Sequence, residues 1–255
     1  MNFFIELKRR NALLFWFGLF NLAVAVVCLV LMPFEETQIL GVNRWLKPFK
    51  FYSSVGIMVL TMGWLLYYLS NEKKIRTYSR LIFISMLFEN GLIITQAIRN
   101  TTSHFNITST INGIIFNLMG MFILVFTITV LLICISFFKQ KQFSIPQAQA
   151  YLWGIRLGIL FFLFFSLEGG AMLGLLKHTV GGPDGGPGLP VVNWSTRYGD
   201  LRIAHFIGIH SLQVLPLFGN YFSKTKKQTL IFSVVYFLLA SALFLQAMNG
   251  IPLFF

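Results

Sequence analysis

Hydrophobic and polar positions in this chain do not alternate but separate into blocks. Apolar runs of about 20 residues, the length at which a helix crosses a hydrocarbon core of about 30 Å, recur at 12–32, 48–70, 80–98, 111–138, 151–177, 201–222 and 228–248. Short polar or basic stretches divide them. A backbone in lipid has to satisfy its own hydrogen bonds, so each run predicts a helix. Together they predict an all-α fold, a polytopic transmembrane helix bundle of about seven spans forming one domain over 1–255. The first run follows Lys8-Arg9-Arg10 as a signal peptide would, but it is too long and lacks a small-x-small cleavage site. It predicts a retained helix.

Composition agrees with the blocks. Of 255 residues, 56% are hydrophobic and 11% charged, with a mean hydropathy of +0.74, far from the usual soluble balance. The net charge of +12 invites a nucleic-acid reading, but its distribution is topological, because cytoplasmic loops of membrane proteins collect Lys and Arg. With the N-terminus inside, Lys8, Arg9, Arg10, Lys73, Lys74, Arg76, Arg80, Lys139, Lys141, Arg156, Lys224, Lys226 and Lys227 fall on the cytoplasmic side. Arg44, Lys47, Lys50, Arg99, Lys177, Arg197 and Arg202 fall outside, and the tail Gly250–Phe255 is uncharged. The predicted topology is N-in, C-out. Cys28 and Cys134 are too few for a disulfide framework and fall in opposite leaflets.

Chemistry enters with the polar residues inside the apolar runs, each costly to leave unpaired in lipid. Asn21 alone in the first helix predicts a helix–helix hydrogen bond. Trp45 and the cations around it, Lys50 included, read as interfacial anchors that snorkel. In the third helix Glu89, Gln96 and Arg99 share one face, with Glu89 near mid-membrane. In the fifth, Glu168 precedes Gly169-Gly170. The Gly- and Pro-rich segment His178–Ser195 predicts an ordered outer loop. The sixth helix, opening at Gly199-Asp200-Leu201-Arg202, carries His205, His210 and Gln213 within its first four turns.

All four histidines, His104, His178, His205 and His210, fall in the outer half or near the midplane. His205 and His210 lie about 6 and 13 Å deep and about 140° apart around the helix, so they address different partners. One arrangement sets His210 with Glu89 or Glu168 in the bundle centre, and His205 under the outer loops with Asp200, His104 or His178. Glu89, Glu168 and Asp200 are the candidate catalytic residues. His210, Gln213 and Gln96 are the candidate cofactor-binding residues, and His210, His205 and His104 the candidate metal ligands. Imidazole with carboxylate suits a transition metal, one imidazole among aromatics suits haem, and the same groups could relay protons. No phosphate-binding loop, dinucleotide fingerprint, HExxH or nucleophile elbow is present.

The strings Thr101–Asn106 (TTSHFN), Tyr151–Gly158 (YLWGIRLG), Asp184–Pro190 (DGGPGLP) and Gly199–Phe206 (GDLRIAHF), with His210 and Gln213-Val214-Leu215-Pro216, resemble a family of uncharacterised bacterial integral membrane proteins. The resemblance implies a bacterial inner membrane and no named activity. The last helix lacks a Schiff-base lysine and the chain lacks the HxxxH spacing of seven-helix zinc hydrolases. The leading expectation is a periplasm-facing His/carboxylate site holding a transition metal or haem, with redox chemistry on a small or lipophilic substrate. The alternatives are a proton-coupled small-molecule transporter or channel and a metal-dependent lipid hydrolase. Expected partners are the lipid bilayer and a small-molecule or lipid ligand, not nucleic acid; the sequence does not specify an oligomeric state.

Overall fold

A computed structural model of the chain describes residues 3–143 and 149–253. The fold is all-α. Among the described residues six helical segments are long and apolar enough to cross a membrane, and a bent pair would make a seventh if counted as one span. The helices are α1 (Phe3–Arg10), α2 (Ala12–Leu31), α3 (Leu46–Leu66), α4 (Glu72–Ile98), α5 (Thr110–Lys139), α6 (Gln149–Ser166), α7 (Glu168–Leu175), α8 (Leu201–Ile209), α9 (Ser211–Tyr221) and α10 (Lys226–Met248). Two antiparallel ribbons sit in the connections: β1 (Gln38–Ile39) with β2 (Val42–Asn43), and β3 (Thr179–Val180) with β4 (Gly199–Asp200). The chain divides into two compact units, Met1–Thr129 and Val130–Phe255, with the boundary inside α5.

Three features depart from the sequence expectation. The short α1 precedes the first apolar run, its Glu6 carboxylate held by Arg9 at 2.8 Å and Arg10 at 2.7 Å; both guanidiniums keep Glu6 well below the usual carboxylate range, at about 2. The run at 151–177 is broken after Ser166 and ends at Leu175. The run at 201–222 is two helices meeting at His210 with a 41° bend. Pro216 lies beyond that break and withdraws the amide that would bond the Leu212 carbonyl. Of the tail Gly250–Phe255, expected outside, residues 254 and 255 lie outside the described residues.

In the first unit α2 packs along α3, where Gly18 and Gly56 let the backbones approach. A Cβ on either would lie 3.3 Å from the other's carbonyl oxygen. Asn21 behaves as expected: Asn90 on α4 donates to its Oδ1 at 2.7 Å, and Asn21 donates to the Phe17 carbonyl at 2.7 Å.

In the second unit α6 packs on α9 through Gly154, Gly158 and Gly219. A Cβ on Gly158 would stand 2.8 Å from the Ser211 carbonyl, and one on Gly219 would stand 2.6 Å from the Ala150 carbonyl. Ser211 donates to the Gly158 carbonyl at 3.0 Å, and Arg156 donates to the Phe137 and Gln140 carbonyls at the end of α5. Helix-end carbonyls are acceptors that a cation is suited to satisfy.

Candidate functional site

The strongest site in the first unit is built on α4. Asn71 caps it by accepting from the Lys74 amide at 3.0 Å. Tyr78, Ile82, Ser85, Glu89, Ile93 and Gln96, at steps of three and four, then form one face, and all six are buried. Glu89 is 2% exposed, and neither carboxyl oxygen has a hydrogen-bond partner among the described residues. One turn earlier on the same face, Ser85 Oγ is equally buried and unpartnered.

His104 reaches Glu89 from the loop after α4. That loop is tied by its own side chains. Asn106 donates to Thr101 Oγ1 and to the Thr102 carbonyl, each at 2.8 Å, and Thr108 donates to Asn106 Oδ1 at 2.7 Å. Phe105, next to His104, holds φ at +57°, an uncommon conformation for a bulky side chain that persists only where the surroundings impose it.

The imidazole Nε2 lies 3.6 Å from Glu89 Oε1. The Nδ1 lies 3.1 Å from Lys47 Nζ in the first turn of α3 and 3.1 Å from Ser103 Oγ. Phe51, a turn further along α3, lies beside the ring at 5.5 Å between centroids. An ammonium can only donate, so Nδ1 accepts from Lys47 and the proton of a neutral ring is assigned to Nε2, facing Glu89. The order Lys47, His104, Glu89 runs from a half-buried cation through a half-buried imidazole to a buried acid.

Gln96, expected to hold a cofactor, closes the end of α4 instead. It donates to Asn112 Oδ1 at 3.2 Å and the Thr102 carbonyl at 3.3 Å, and accepts from Arg99 at 2.6 Å.

In the second unit the candidates are dispersed. The break between α6 and α7 leaves the Phe165 carbonyl without its helical partner, and His205 Nδ1 donates to it at 3.0 Å. This assigns the Nδ1–H tautomer and leaves Nε2 as a lone pair. Glu168, first residue of α7, is 6% exposed with Oε2 unpartnered among the described residues.

His210 sits at the bend. Its Nδ1 donates to the Phe206 carbonyl of its own helix at 2.7 Å, and its ring lies 4.1 Å from that of Phe206. No ion pair joins it to Glu168 among the described residues. Gln213 follows in the first turn of α9.

Asp200 caps α8 and is saturated, accepting from the Ser195 amide at 2.7 Å and the Arg202 amide at 3.0 Å, and from the Arg202 guanidinium at 2.9 and 2.6 Å. His178 pairs with Asp184 at 2.9 Å. The arrangement with His205 on Asp200 or His178 is thus replaced by separate local pairs, because each acid is taken by groups a few residues away in its own loop.

Among the described residues no group of three or more His, Cys, Asp and Glu side chains could hold a metal ion. His104 faces an ammonium, His205 faces a carbonyl, and His210 bonds within its helix. A donor set of three or more such side chains for a transition metal is not assembled among the described residues, and no step is derived through a metal or haem. Sequence reasoning passed over Lys47 and Ser103. Lys47 reads as one anchor among several, and Ser103 as a polar loop residue; only the fold of the 99–109 loop brings them to His104. The chain matches no family model, no curated protein and no solved structure.

Proposed function

We propose that the chain is a multi-pass protein of the bacterial inner membrane, with seven spans, the N-terminus inside and α8 with α9 as one broken span, belonging to the family its sequence strings resemble. Its function is proton-coupled transport of a small solute. Lys47, His104 and Glu89 form the proton-accepting arm on the periplasmic side. The observation that carries the reading is Glu89: a carboxyl 2% exposed, with no hydrogen bond to either oxygen among the described residues and a half-buried imidazole 3.6 Å away.

A bare carboxylate in such surroundings is costly, so the group either carries a proton or shares one with the imidazole. Imidazole changes charge near neutral pH, and here it stands between solvent-side donors and the acid. Protonation from outside therefore has a short path: onto His104, then from Nε2 to Glu89 Oε1 after a movement of less than an ångström to hydrogen-bond range. The bent pair α8 and α9 fits the same reading, since broken helices in transporters frame the solute site.

The test needs no known solute, because a coupled carrier must take up its proton before it moves a solute. Purified wild type in unbuffered detergent solution, titrated with acid from about pH 8 to about pH 5, should take up more proton per chain than Glu89→Gln. Equal proton uptake by the two would overturn the proton reading.

A further inference from the structure

A groove in the first unit lies outside the site above. It is an apolar channel of about 480 Å³ between α2 and α4, walled by Leu13, Trp16, Phe17 and Phe20 on one side and Phe83 and Leu87 on the other. From Leu13 to Phe20 it runs about 10 Å along α2. At its Ala12 and Leu13 end, α1 leads into α2. Glu6 there is occupied by Arg9 and Arg10, whereas the Lys8 ammonium sits 5.2 Å from the centroid of Trp16, a wall of the groove. Phe3, Phe4 and Ile5 on α1 are more than half exposed, as on a helix lying in a membrane interface with cations at headgroup level.

We infer that this groove and Lys8 form a binding site for one anionic glycerophospholipid, with an acyl chain along Trp16, Phe20 and Leu87 and the phosphate on Lys8. An acyl chain suits a groove walled by apolar and aromatic side chains at one end of a span. The Lys8 ammonium, which pairs with no carboxylate among the described residues, selects a negative headgroup over a zwitterionic one. A free phosphate would leave the apolar walls empty. The inference rests on the membrane part of the proposal above and not on its proton relay.

The full chain, purified in mild detergent and titrated with dioleoyl phosphatidylglycerol or dioleoyl phosphatidylcholine, is read by native mass spectrometry. Wild type should retain one phosphatidylglycerol in preference to phosphatidylcholine. Lys8→Gln should lower that preference about fivefold, while Lys73→Gln, a cation of α4 away from the groove, leaves it unchanged. Leu87→Trp, filling the groove from an exposed position, should lower retention of both lipids with helicity and gel-filtration volume intact. Equal retention of the two lipids by wild type, or equal effects of Lys8→Gln and Lys73→Gln, would overturn the inference. A chain that stays monodisperse without detergent would instead fail the membrane reading itself.

Discussion

His104 Nε2 and Glu89 Oε1 stand 3.6 Å apart, just beyond hydrogen-bond range, with the acid buried and the imidazole half exposed. A pair at this distance gains most when a proton is placed between its members, so the two groups should titrate as a unit. In infrared difference spectra recorded between pH 5 and 8, wild type should show a carboxyl C=O band that Glu89→Gln lacks. His104→Gln should keep the band but shift its pH midpoint. An unshifted midpoint in His104→Gln would separate the two residues and remove the relay.

The proposed orientation is checked by labelling. Cys28 and Cys134 are 1% and 5% exposed, so the native background should be low. Single substitutions His104→Cys and Thr225→Cys should then react with a membrane-impermeant maleimide from opposite sides of intact cells. Labelling of both from outside would overturn the N-in arrangement, and with it the periplasmic assignment of the relay.

Helix packing in the second unit yields a stability prediction. A side chain at Gly158 would meet the Ser211 carbonyl at 2.8 Å and Pro216 Cδ at 3.1 Å, backbone and ring atoms that cannot swing aside. Gly158→Val should destabilise by about 1–3 kcal/mol, the range for overpacking, seen as a lower unfolding midpoint in detergent. Gly169→Ala, where an added Cβ meets nothing within 4 Å, should be close to neutral or stabilising.

Block hydrophobicity made most of the helices legible, since a 20-residue apolar run has few other fates. The breaks at Leu167 and His210 were not legible. No proline sits at either, and the groups that compensate them, His205 for the Phe165 carbonyl and Tyr236 of α10 for the Ile207 carbonyl, come from other helices. The candidate site was half legible. Glu89 was visible because a carboxyl inside an apolar run is rare, whereas Lys47 sits among anchors of the same type and is singled out only by the folded loop that carries His104. The arrangement that set His205 with Asp200 or His178 failed for the opposite reason: Asp184 and Asp200 are satisfied by groups within their own loop, a contest of local against distant partners that spacing does not decide.

Asp184 gives the pH prediction. Burial pushes its carboxyl up, but hydrogen bonds from His178 and Thr179 outweigh that and hold it well below the usual carboxylate range. A depressed folded value means that its contribution is complete above the unfolded value of about 3.9 and is lost as pH falls through the lower folded one. Amide exchange, corrected for intrinsic rates, should show Asp184-dependent protection of residues 178–184 at about pH 5 and its loss at about pH 3 and below. Asp184→Asn should be less protected at neutral pH and show a smaller further loss on acidification.

His205 separates a structural imidazole from a metal ligand. Its Nδ1–H satisfies the Phe165 carbonyl freed by the helix break, and a buried carbonyl left without a donor costs about 1–3 kcal/mol. His205→Leu should therefore lower the unfolding midpoint by a matching amount. His205→Asn, which retains a donor on a shorter arm, should recover part of the loss. A ligand role makes a different prediction, because a metal bound only to the folded state adds about 2.7 kcal/mol at one hundred times its dissociation constant. If His205 is structural, zinc, iron(II) and copper(II) will leave the wild-type midpoint unchanged, and the gap between wild type and His205→Leu will be the same with and without metal. A wild-type midpoint that rises with one of these metals, and stops rising in His205→Leu, would place a metal on Nε2, restoring the redox reading for iron or copper and the hydrolase reading for zinc.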